Sequence, residues 1–144
     1  MTFDFSREEL SFGEAQNLPH SSRFYAGLSF IPVTMRAQGR ALQLMLDTGA
    51  SGLVLYAEAV DGRLEIEATG RAEYRGHVGG RVRMKEILLH EVSLGDSYWA
   101  TLSAYLIAGP NRHTVHVMGN LGVTSLGFRI LQLDFERGQL SWTF

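Results

Sequence analysis

The chain has 144 residues, 45% of them apolar and 19% charged, with a formal net charge of -2. That length makes one domain with a sizeable core, and a near-neutral balance without a basic run gives no footing for nucleic acid. Cysteine is absent, which removes disulfides, thiolate metal sites and cysteine nucleophiles.

Residues 1–25 are the least legible and are read as an N-terminal arm, with 26–144 as the domain proper. The opening stretch Met1 to Leu10 carries Asp4, Arg7, Glu8 and Glu9, unlike a secretory leader. The expected location is cytoplasmic if Met1 is the natural start; a piece of an exported protein would read the same. No apolar run is long enough for a membrane-spanning segment.

Phe30-Ile31-Pro32-Val33-Thr34-Met35 is extended, and Pro32 suits an edge position. A turn over Ala37-Gln38-Gly39-Arg40 returns the chain as a largely buried strand, Ala41 to Leu46. Gly52 to Tyr56 continues as strand, and residues 57 to 64 form a short helix or a loop, with Asp61-Gly62 as a turn signal. Ile66 to Leu89 reads as a long hairpin with glycines at 76, 79 and 80. The alternation Arg81-Val82-Arg83-Met84-Lys85 marks a half-exposed strand. After a turn at Gly95-Asp96-Ser97, Trp99 to Ala108 is a buried strand. Val123 to Phe128 is the best short-helix candidate. Ile130 to Phe135 and Gln139 to Trp142 form a terminal hairpin around Glu136-Arg137-Gly138. The pattern is all-β with one or two short helices.

The chemistry concentrates at Leu42-Gln43-Leu44-Met45-Leu46-Asp47-Thr48-Gly49-Ala50-Ser51-Gly52. A carboxylate at the end of a buried strand is costly unless hydrogen bonds satisfy it. A hydroxyl, a glycine and backbone amides follow at once. Alone, Asp-Thr-Gly would serve equally to cap a strand. A phosphate-transfer aspartate needs an adjacent Lys-Thr-Gly-Thr or a second Asp two residues on, and neither is present. Gly119, Gly122 and Gly127 do not make the dinucleotide fingerprint, and no Gly-x-Ser-x-Gly elbow occurs. His113 and His116, three apart in an extended segment, point to opposite faces. With no third ligand nearby, no metal is expected.

Taken with Val117-Met118-Gly119-Asn120-Leu121-Gly122-Val123 and the terminal hairpin, the aspartate loop resembles that of the retropepsin-like aspartic peptidases, single-domain relatives of pepsin. The resemblance runs from about Phe30 to Trp142 and is strongest at Asp47 to Ser51. It implies an acid-protease (retropepsin-like) closed β-barrel, no cofactor, and hydrolysis of a polypeptide substrate by two carboxylates that share one proton, the logic established for aspartic peptidases in general. The chain has five aspartates, Asp4, Asp47, Asp61, Asp96 and Asp134, and only Asp47 precedes Thr-Gly. One chain therefore supplies half a site, and a homodimer with Asp47 from each subunit is expected.

Further expectations follow from the resemblance. Thr48 bonds across to the partner loop. Gly49 lets its amide approach the carboxylate, where a Cβ would crowd it. Ala50 supplies no hydroxyl, so activity should peak nearer about pH 5 to 6 than pH 2. Ser51 bonds within the loop. Tyr74, Gly76 and Gly79 belong to a candidate flap over the substrate, although an ordinary flexible hairpin would look the same. Apolar side chains flank the cut bond, and the strand through Trp142 joins a sheet shared by both subunits. The competing reading is the same fold kept as a catalytically silent module for peptide binding or dimerisation.

Overall fold

The computed structural model describes residues 1–25, 30–77, 80–108 and 117–144. The first 25 residues supply three short strands, β1 (Thr2–Asp4), β2 (Glu9–Ser11) and β3 (His20–Arg23). Then come β4 (Pro32–Ala37), β5 (Arg40–Asp47), β6 (Leu53–Tyr56) and a single helical turn, α1 (Ala57–Val60). β7 (Glu67–His77), β8 (Gly80–Leu94) and β9 (Ser97–Ile107) are long; β10 (Gly119–Gly122), β11 (Ile130–Asp134) and β12 (Gln139–Thr143) are short.

β4 and β5 form a hairpin through Gln38-Gly39, whose φ values of 51° and 73° are the paired left-handed conformations of a tight two-residue turn. Alternate residues of both strands turn inward: Val33, Met35 and Ala37 face Leu42, Leu44 and Leu46, all buried. The neighbour order is β4-β5-β10-β6-β9-β8, and β8 returns to β4 through Arg36↔Ser93 and Ala37↔Val92. Six strands thus close a barrel, as expected, and β7 lies outside on β8. Only the far end of β4 has a second neighbour, so Pro32 sits where the strand is an edge, the position its missing N–H tolerates.

A five-stranded sheet, ordered β2-β1-β11-β12-β3, packs against the barrel. Leu131, Leu133, Leu140 and Trp142 carry it into the same core as the barrel leucines. Trp142 is fully buried, and its Nε1–H donates to Ser97 Oγ at 3.1 Å. Gln132 is also buried. It accepts from the Gln16 N–H at 2.8 Å and donates to the Gln16 carbonyl at 2.9 Å, so the segment between β2 and β3 is tied to the sheet.

Three expectations need correction. Val123 to Phe128 is a run of turns, not a helix. Its bonds reach three residues back, from Ser125 N to Gly122 O and from Gly127 N to Thr124 O, and Gly127 stops the run with φ of 74°. Trp99 to Ile107 lies in β9 and is only partly buried; Leu102 and Ala104 are buried while Thr101 and Ser103 are exposed, and Ala108 lies past the end of the strand. The strand through Trp142 has no free edge to share. β11 runs along one side of β12 and β3 along the other, both from the same chain.

Candidate active site

β5 ends in Asp47 and β10 ends in Gly122, side by side in a parallel pair. The inward leucines of β5 and β10 anchor both strands in the core, so the loop that follows starts from a fixed point. Asp47 is half-buried, and its Oδ1 accepts the Gly49 N–H at 2.9 Å. The Ala50 N–H reaches back to the Asp47 carbonyl at 3.3 Å. Thr48, Gly49 and Ser51 are exposed and Ala50 is half-buried. The loop therefore lies largely open at Thr48, Gly49 and Ser51.

The next segment of chain braces this loop from behind. Gly122 N–H donates to the Gly52 carbonyl at 3.1 Å. Thr124 Oγ1 donates to the Ser51 carbonyl at 3.0 Å, and Ser125 Oγ donates to the Gly122 carbonyl at 2.6 Å. A Cβ on Gly122 would lie 2.5 Å from the Ala50 carbonyl oxygen and 2.7 Å from both N and O of Gly52. Those are all backbone atoms, so only glycine fits. Gly49 is different. An added Cβ would stand 3.4 Å from Asp47 Oδ1, an ordinary contact, so the crowding expected there does not arise within one chain.

Tyr56, at the end of β6, donates its phenol proton to Asn120 Oδ1 at 3.1 Å. Its main-chain N–H donates to the Met118 carbonyl at 2.9 Å. Burial, and then the negative charge of Asp47, push the phenol above its usual range. Tyr56 thus lies within the electrostatic reach of Asp47.

The other aspartates are engaged elsewhere or sit in turns. Asp4 accepts from Ser6 and Arg7, Asp96 pairs with His20 at 3.0 Å, Asp134 accepts the Arg137 N–H at 3.0 Å, and Asp61 ends α1. Tyr74 is exposed on β7 opposite Arg83, and Gly76 stands in register with Arg81. Gly79 lies outside the described residues, as do His113 and His116. Among the described residues no group of three His, Asp or Glu side chains could hold a metal ion, and no helix is long and apolar enough to cross a membrane.

Sequence reasoning brought Asp47 to Ser51 into one loop correctly but passed over Tyr56, Asn120, Thr124 and Ser125. The available signal was a polar asparagine inside a four-residue strand bounded by glycines, Gly119-Asn120-Leu121-Gly122.

A closed six-stranded barrel, with one acid loop braced by a glycine-ended parallel strand, is the retropepsin-like acid-protease fold. The chain belongs to the aspartyl protease family, whose profile matches residues 31–125. Among solved structures it is similar to a retropepsin-like aspartic protease from Rickettsia conorii, at 17% identity and a TM-score of 0.57. That match covers 83% of this chain and 96% of the other. No curated protein matches the chain.

Proposed function

We propose that the protein is an aspartic endopeptidase whose active site is completed by a homodimer, with Asp47 from each subunit on a two-fold axis. The observation that carries this reading is the single Asp-Thr-Gly loop at the end of the β5–β10 parallel pair. Two facing carboxylates share one proton, because two negative charges a few ångströms apart cannot both persist. The charged one takes a proton from a bound water. The water oxygen forms a bond to the scissile carbonyl carbon as the protonated carboxyl donates to the carbonyl oxygen. Collapse of the tetrahedral species moves a proton to the nitrogen, the C–N bond breaks, and acid and amine leave. Thr48 joins the two loops, and Ala50 and Ser51 border the bound peptide. The β7–β8 hairpin with Tyr74 and Gly76 covers it, and the peptide lies extended with main-chain hydrogen bonds.

Assembly must use a surface other than an edge of β12, whose two sides are occupied within the chain. The test compares wild type with Asp47→Asn on an unfolded protein substrate across a dilution series. Wild type cuts, with activity per protomer falling as the dimer dissociates, and the variant does not. Equal cutting by both proteins removes the reading, and activity that is constant on dilution below a measured dimer Kd removes the shared site.

A further inference from the structure

Side chains alternate across a strand, and the registers here sort the residues around Asp47. Asn120 stands opposite Met45 of β5 and Val54 of β6, while Gly122 stands opposite Asp47. Met45, Asp47, Val54, Tyr56 and Asn120 therefore share one face of the sheet. The residues between them, Leu44, Leu46, Leu53, Leu55 and Leu121, form the barrel core. All five on the first face are half-buried. Asn120 stands about 7 Å along the strand from the position beside Asp47, two residues at roughly 3.3 Å each.

An apolar residue at 120 would pack well between Met45 and Val54. Asparagine instead forms a polar pair with Tyr56, whose hydroxyl occupies Asn120 Oδ1. With Oδ1 taken by the phenol, the Nδ2 group, a double donor, is left for another acceptor.

We infer that Asn120, positioned by Tyr56, selects substrates carrying a neutral hydrogen-bond acceptor, such as glutamine or asparagine, beside the bond that is cut. This rests on the peptidase reading above. A peptide with its scissile carbonyl at Asp47 carries its adjoining side chains at about the distance where Asn120 stands. An acidic side chain would meet the charge of Asp47, and an apolar one would leave the amide donors without a partner. The two-fold axis repeats the pair, so the preference applies on both sides of the cut.

Binding is measured by calorimetry on Asp47→Asn, separating recognition from turnover, with two peptides that differ only in Gln or Leu beside the intended cut. The Gln peptide is expected to bind about three- to tenfold more tightly. Adding Asn120→Leu abolishes or inverts that ratio. Adding Tyr56→Phe shrinks it while affinity for the Leu peptide holds, a pattern that a purely structural role would not give. A ratio unchanged by Asn120→Leu overturns the inference, and so does failure of both peptides to bind. Cleavage by wild type separates the two claims. An active enzyme without the Gln preference sinks this inference alone, and a Gln preference in a protein that cuts nothing sinks the peptidase reading alone.

Discussion

Gly122→Ala is the substitution for which the structure gives the sharpest forecast. The new methyl would sit 2.5 Å from one backbone oxygen and 2.7 Å from two further backbone atoms, roughly 0.9 Å inside the 3.4 Å of ordinary contact. None of these atoms belongs to a side chain that can swing away. Relief requires the Ala50–Gly52 segment to move off β10, which also stretches the Gly122-to-Gly52 hydrogen bond. Overpacking of this kind costs about 2–3 kcal/mol. With a urea slope of roughly 2 kcal/mol per molar, the unfolding midpoint falls by about 1–1.5 M. The displaced loop carries Asp47, so peptide hydrolysis should drop about a hundredfold, the scale of a 1 Å misplacement. Gly49→Ala is the control. Its methyl meets one side-chain oxygen at 3.4 Å, and its midpoint should stay within about 0.5 M of wild type. Urea denaturation of the three proteins checks the argument. If Gly122→Ala unfolds at the wild-type midpoint, or if Gly49→Ala is the more damaged, the close-approach reasoning is wrong.

Other expectations follow from individual contacts. Ser97→Ala leaves the buried Trp142 N–H without its acceptor and should lower stability by about 1–2 kcal/mol, read from the same urea curves. Leu121→Ala empties a fully buried position between β5 and β6, at a cost of about 2–5 kcal/mol, and thermal melts give the check. The fold raises the proton affinity of the Tyr56 phenol above that of a free tyrosine, chiefly by burial. Above about pH 10 the unfolded chain therefore releases that proton first, and stability declines as pH rises. Stability curves from pH 8 to 11 should be flatter for Tyr56→Phe; identical slopes would contradict the burial and charge effect. Asp4 is held below its usual range, chiefly by the Ser6 hydroxyl. Its small stabilising effect is present above about pH 4 and lost as pH falls further, so Asp4→Asn should slightly reduce the acid dependence of unfolding.

By itself the sequence determined the all-β class, most of the strands from Phe30 onward and the location of the acid loop. These are local properties. Ala41 to Leu46, read as largely buried, alternates and buries one face only, and an acid followed by Thr-Gly ends that strand where carboxylate and amide can meet. The β4–β5 turn was legible for the same reason, because Gln38-Gly39 matches a conformation that few residue pairs adopt. Val123 to Phe128 misled because apolar spacing over six residues does not separate a helix from successive turns. The Ser125 and Thr124 hydroxyls that bind nearby carbonyls decide for turns. Only tertiary structure decided what lies beside Asp47. Gly122, Asn120 and Tyr56 are remote from it in sequence, and strand register across β5, β10 and β6 sets them on one face. The second occupied edge of β12 came likewise from long-range pairing, with β3, a strand of the first 25 residues that carries little apolar signal of its own. Local chemistry fixes what a segment can become, whereas neighbours along a sheet are chosen by closure of the barrel, which no short window of residues encodes.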